Sequence, residues 1–149
     1  MPEIQRILVP INGTTESFKA LHLACELATI YGAEIHLLLV TYFSAKTDDY
    51  AVNTSWLETP LTGSVSHFVD AVFQRAYDYF PQNHRTNLKV STYHLSGQPA
   101  LEILKFIHAH DIDLIIMGCR KMSFFSSILN GSTSRQLLEK ADCPIIIAK

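Results

Sequence analysis

The residues best suited to chemistry stand late in the chain. There Asp113-Leu-Ile-Ile-Met117-Gly118-Cys-Arg120-Lys121 leads through Met122 to Asn130 and on to Gly131-Ser132-Thr133-Ser134. An apolar run short enough for a buried strand stops at Gly118, passes through a hydroxyl-rich stretch and resumes at Gly131, after which a helix can open. That arrangement suits an anion. The first amides of a helix have no partners within it, and the helix dipole adds partial positive charge at the same end, so phosphate is a natural guest. Ser132, Thr133 and Ser134 bring hydroxyl donors, and Arg120 and Lys121 bring positive charge. The plainer account is a strand-to-helix connection with glycines for turning and Ser132 as the helix N-cap. A glycine and serine pair alone does not go beyond that account.

Other constellations carry less. Seven histidines raise the question of a metal. His108 and His110 are two apart on a helix and point in different directions. His36 and His94 lie on separate strands without a cysteine or carboxylate at ligand spacing, so no metal site is expected. No Gly-x-Ser-x-Gly elbow is present, and no cysteine sits in a recognisable catalytic setting, so covalent catalysis has no support. Asn12-Gly-Thr-Thr-Glu-Ser17 opens on a favourable turn pair. The same segment could cradle a flavin phosphate, which would make the chain a flavodoxin-like FMN carrier but leaves Gly131-Ser132 without a role.

These residues need elements that bring strand ends together. Residues 6–11 read as a first strand, apolar on both faces as parallel strands are. Phe18, Leu21, Cys25 and Ala28 recur at helical spacing over 17–31, and Gly32 ends that helix. A second strand follows over 34–40. Residues 43–60 show no clear period and read as a lid or mobile loop. Val65, Phe68, Val69, Val72, Phe73 and Ala76 mark a second helix that Pro81 ends. The alternation over 88–95 predicts an exposed edge strand. Pro99 opens a third helix that buries Ala100, Ile103, Leu104 and Ile107. A fourth strand over 112–117, a helix over 132–140 and a last strand over 143–149 complete the chain. Strands alternating with helices imply an α/β fold, with an open five-stranded parallel sheet covered by helices on both faces.

Composition narrows the function. At 149 residues the chain is one domain by length. Twelve basic and 14 acidic residues leave a net charge of −2, so no broad basic field exists to hold nucleic acid or an anionic membrane. No apolar run reaches the roughly 20 residues that span a bilayer, and no signal-type segment opens the chain, so a cytoplasmic protein is expected. Cys25, Cys119 and Cys143 are an odd count without metal-type spacing, which fits reduced thiols.

The spacing of Gly118, two residues, Lys121, nine residues and Gly131-Ser132 resembles the ATP-binding loop of the universal stress protein family, whose pattern is Gly-x2-Gly-x9-Gly-Ser/Thr. Ile7-Leu-Val-Pro10, Gly97-Gln-Pro99-Ala100 and Ala141-Asp-Cys143-Pro144-Ile-Ile-Ile look like further landmarks in family order. The resemblance covers nearly the whole chain as one domain, residues 1–149. It implies a Rossmann-like fold of the adenine nucleotide alpha hydrolase type with strand order 3-2-1-4-5. The Asn12 turn and the loop from Gly118 to Ser134 would then face each other where strand order reverses.

By the same resemblance the ligand would be ATP with Mg²⁺, or AMP or another adenine nucleotide, held as a signal in a stress response and hydrolysed slowly at most. The backbone of Val40 would meet the adenine edge, and Pro10 and Ile11 would wall the base. Asn12 would stand where the family commonly has an aspartate that hydrogen-bonds the nucleoside. Met117, Gly118, Arg120, Lys121, Gly131, Ser132, Thr133 and Ser134 would line the phosphate side.

Two positions depart from the pattern. Lys121 stands at the second glycine, where a positive φ would cost about 1 kcal/mol; its ammonium would either crowd the phosphate or contact it. Asn12 keeps an acceptor but loses the charge, which predicts weaker affinity. A member that has lost the nucleotide and works as a dimeric scaffold is therefore the alternative. The apolar, β-branched final strand would lie at the sheet edge, and such an edge invites pairing with a second copy across a two-fold axis. A homodimer through this strand is expected, as is common in that family.

Overall fold

The computed structural model describes residues 3–41, 65–81, 88–118 and 133–149. In chain order these form β1 (Arg6–Ile11), α1 (Thr15–Tyr31), β2 (Glu34–Thr41), α2 (Val65–Tyr77), β3 (Val90–Ser96), α3 (Pro99–Ala109), β4 (Leu114–Gly118), α4 (Thr133–Lys140) and β5 (Ile145–Ala148). The strands make one sheet, ordered β3-β2-β1-β4-β5 and parallel throughout. This is the order the resemblance implied. A flavodoxin-like chain has the order 2-1-3-4-5, so the flavin-carrier alternative fails on topology.

Side-chain alternation divides the core into two layers. Ile7, Val9, Ile11, Ile35, Leu37, Leu39, Leu114 and Ile116 pack with Phe18, Leu21, Ala24, Phe68 and Val72 of α1 and α2. Leu8, Leu38, Val40, Ile115 and Met117 pack with Ile103, Phe106, Ile107 and Leu137 of α3 and α4. The stretches Ile7–Ile11 of β1, Leu37–Val40 of β2 and Leu114–Met117 of β4 are therefore apolar at every position, and each fully buried Leu or Ile contributes about 1.5–3 kcal/mol. The Asp113 carboxylate fixes the start of β1 against β4 by accepting from the amides of Gln5 and Arg6, both at 2.9 Å.

Element ends show where local chemistry overrides periodicity. Helix α1 begins at Thr15, two residues before the periodicity does, because Thr14 is its N-cap and accepts from the Ser17 amide at 3.2 Å. Helix α2 ends at Tyr77, ahead of Pro81. Asp78, Tyr79 and Phe80 donate three residues back to Arg75, Ala76 and Tyr77, which tightens the chain out of α geometry before the proline. In α3, Gln98 caps the Leu101 amide at 2.8 Å and Pro99 takes the first position. Strand β5 is shorter than expected, because β4 offers partners only from Ile115↔Ile145 to Gly118↔Ala148. The 43–60 loop lies outside the described residues, and among those described no helix is long and apolar enough to cross a membrane.

At the amino-terminal end of the sheet, His36 of β2 stacks on Tyr93 at 5.6 Å and lies edge-on to Phe106 and His110. Among the described residues the two ring nitrogens of His36 have no hydrogen-bond partner, and a carboxylate oxygen of Glu34 lies 3.6 Å from Nε2.

Candidate functional site

The carboxyl ends of β1, β2 and β4 meet at the point where strand order reverses. Their unequal lengths create the first feature. Pairing between β1 and β2 stops at Ile11↔Leu39, whereas pairing between β2 and β3 runs on to Thr41↔Ser96. Glu34 donates its amide to Gln5 of the β1 side and Ile35 donates to Lys89 of the β3 side. Alternation then turns the backbone groups of Val40 toward β1. Because β1 has ended, the Val40 carbonyl lies beyond the last rung of pairing between β1 and β2. Thr41 faces the other way, its carbonyl accepting from Gly97 at 3.0 Å. Ile11 has no exposed surface and packs in the α1 layer, so it can meet a ligand only through its backbone. Pro10 is buried beside it.

The β1 to α1 turn is the second feature. Gly13 adopts φ 84°, a left-handed conformation that glycine takes without strain. That bend lets Asn12 fold onto the helix start. Its Oδ1 accepts from the Thr14 amide at 3.1 Å and from the Thr14 hydroxyl at 2.6 Å. The Ser17 hydroxyl donates to the Thr14 carbonyl at 2.8 Å and accepts from the Asn12 amide at 3.4 Å. Asn12, Thr14 and Ser17 are all buried. The acceptor expected of Asn12 is thus present, and it already accepts from both donors of Thr14. The backbone N–H at Thr14 settles which end of the amide points there, since only the oxygen can accept.

Gly118 is the third feature. A β-carbon built on it would overlap the backbone of Glu16 and lie 2.5 Å from the Ser17 nitrogen. The end of β4 therefore passes directly against the first turn of α1, and glycine is required by that approach. Asn12 and Gly118 are brought to one locality through Ser17, whose hydroxyl accepts from the Asn12 amide and whose backbone nitrogen lies against Gly118. Met117 is buried on the opposite face with Leu137 of α4. Thr133 is buried and Ser134 half-buried at the start of α4, whose first turn carries no acidic residue to offset the positive end of its dipole. Arg120, Lys121, Gly131 and Ser132 lie outside the described residues. Among the residues described, no three His, Cys, Asp or Glu side chains gather as a metal-binding group.

Two organising residues escaped the sequence reading. Thr14 and Ser17 fix the orientation of Asn12, and the signal for them was present in their capping spacing, Thr14-x-x-Ser17. At the end of β2, the Thr41 hydroxyl also shares hydrogen bonds with His94 Nε2 at 2.9 Å and Ser96 Oγ at 3.3 Å. No local pattern announces that cross-strand contact.

The whole chain is similar to known proteins. A profile described as the Universal stress protein family matches residues 3–149. Universal stress protein MJ0531 of Methanocaldococcus jannaschii is 27% identical over 150 residues, covering 97% of this chain and 82% of its own length. A crystal structure of a universal stress protein in complex with cAMP superposes with a TM-score of 0.74 at 14% identity, over 99% of this chain and 98% of that one. A universal stress protein from Archaeoglobus fulgidus in complex with dAMP gives 0.66 at 18% identity, over 97% and 98% of the two chains. These two share the α/β fold described above. The match of a family profile along nearly its full length shows that the chain belongs to the universal stress protein family.

Proposed function

We propose that this protein binds an adenine nucleotide, ATP with Mg²⁺ in particular, as a regulatory ligand in a cytoplasmic stress response. The observation that carries the reading is the meeting of the Asn12 turn with Gly118 across the first turn of α1, at the reversal of strand order. Ligands of open α/β sheets sit in that crevice. Val40 would offer its backbone to the base, and Gly118 with the start of α4 would receive the phosphates. Lys121, Arg120, Gly131 and Ser132 would complete the phosphate side on the strength of their spacing. Two fold neighbours described with cAMP and dAMP support the choice of an adenine nucleotide. Binding rather than turnover is the proposed activity.

Thermal unfolding with and without ATP and Mg²⁺ tests this. At a hundredfold excess over Kd the native state gains about 2.7 kcal/mol, which raises Tm by about 5–10 °C for a chain of this size. An unchanged Tm at millimolar ATP would favour the scaffold alternative, in which the dimer rather than the nucleotide is the working element.

A further inference from the structure

We propose that Asn12 acts toward the nucleotide only as a hydrogen-bond donor, so that the site does not select ribose over 2′-deoxyribose. The inference rests on the nucleotide reading above and concerns how that same crevice recognises the sugar.

Strand order places the sugar. If the base meets Val40 at the end of β2 and the phosphates meet Gly118 at the end of β4, the strand between them is β1. Neighbouring strands are about 4.8 Å apart, so β2 and β4 are separated by about 10 Å, the distance an adenosine bridges from ring edge to phosphate. The sugar then lies over the end of β1, where Asn12 stands.

The chemistry Asn12 can offer is set by its neighbours. Both donors of Thr14, the amide at 3.1 Å and the hydroxyl at 2.6 Å, converge on Oδ1. The Thr14 hydroxyl is itself held in place by the Ser17 amide at 3.2 Å. Rotating the carboxamide to present its oxygen outward would break two bonds and set Nδ2 against the Thr14 N–H, donor to donor. The remaining polar group is Nδ2, which carries two hydrogens and accepts nothing. A group of that kind pairs with sugar ring or ester oxygens, which ribose and 2′-deoxyribose share. A carboxylate in its place would keep one oxygen on Thr14 and turn the other outward as an acceptor for a sugar hydroxyl. A site that hydrogen-bonds a hydroxyl in this way rejects the analogue lacking it.

The test is the ratio of affinities for ATP and dATP, measured calorimetrically with Mg²⁺ on wild type and on Asn12→Asp. The added negative charge repels both nucleotides equally and cancels in the ratio. Wild type should bind the two within about threefold, and Asn12→Asp should favour ATP by about tenfold or more. Asn12→Ala, which has no donor, should weaken both nucleotides by the same factor. A wild-type preference for ATP above about tenfold, or an unchanged ratio in a folded Asn12→Asp that binds both, would overturn the inference alone. If wild type binds neither nucleotide, the nucleotide reading itself fails and this inference falls with it.

Discussion

Gly118 and Glu16 occupy adjoining backbone positions with no room for a β-carbon between them. A residue at the end of β4 thereby fixes where α1 begins, and the α1 start in turn holds Asn12. Replacing Gly118 with alanine must push strand and helix apart. The expected loss of stability is about 1–3 kcal/mol, read from urea unfolding, with weakened nucleotide binding as a further consequence. A loss below about 0.5 kcal/mol would show that the two elements separate freely.

Acid should destabilise the protein through His36. Its pKa is held below the ordinary 6.5, first by burial; Glu34 raises it, while His110, Arg6 and Lys89 lower it further. As pH falls below 6.5, the unfolded chain takes up a proton that the folded one refuses. Stability is therefore complete above that pH and declines below it, until the folded-state pKa is reached. His36→Phe keeps a ring against Tyr93 and cannot titrate, so its urea midpoint should fall less steeply with acid. Equal slopes in the two proteins would assign the acid sensitivity elsewhere.

The strands and the class of fold were readable because burial on both faces writes itself into continuous apolar runs, as at Ile7 to Ile11 and Leu37 to Val40. Strand order is not a local property, and it entered through resemblance alone. The site was legible in composition but not in direction. Asn12 carries an oxygen and an amide whatever its surroundings, and only the placement of Thr14 decides which faces the crevice. Gly118 announced a need for space, but the residue that needs it, Glu16, is distant in sequence. Phe106 was missed as a core residue because Leu104 and Ile107 already satisfied the helical period; the structure buries Phe106 against His110, with ring centroids 3.8 Å apart.

Lys121 stands at the second glycine of the family pattern, next to another cation in a chain that is acidic overall. If its ammonium meets phosphate, Lys121→Gly should weaken ATP binding by about threefold and flatten its dependence on salt. Tighter binding by the glycine variant would mean that the side chain only crowds the loop.

Strand β5 pairs with β4 alone among the described strands, and Ile145, Ile146, Ile147 and Ala148 are all half-buried. A second copy pairing along that edge would cover them. Ile146→Asp should convert a wild-type dimer into a less stable monomer, as judged by light scattering at micromolar concentration. A monomeric wild type, or an Asp variant that stays dimeric, would refute this interface.

Calorimetric titration of the wild-type protein with ATP and Mg²⁺ tests the nucleotide assignment most directly. The expected result is saturable binding of one nucleotide per chain, abolished by competition with AMP only if both share the crevice above β1 and β4. An absence of heat at millimolar ATP, with no displacement by any adenine nucleotide, would contradict it.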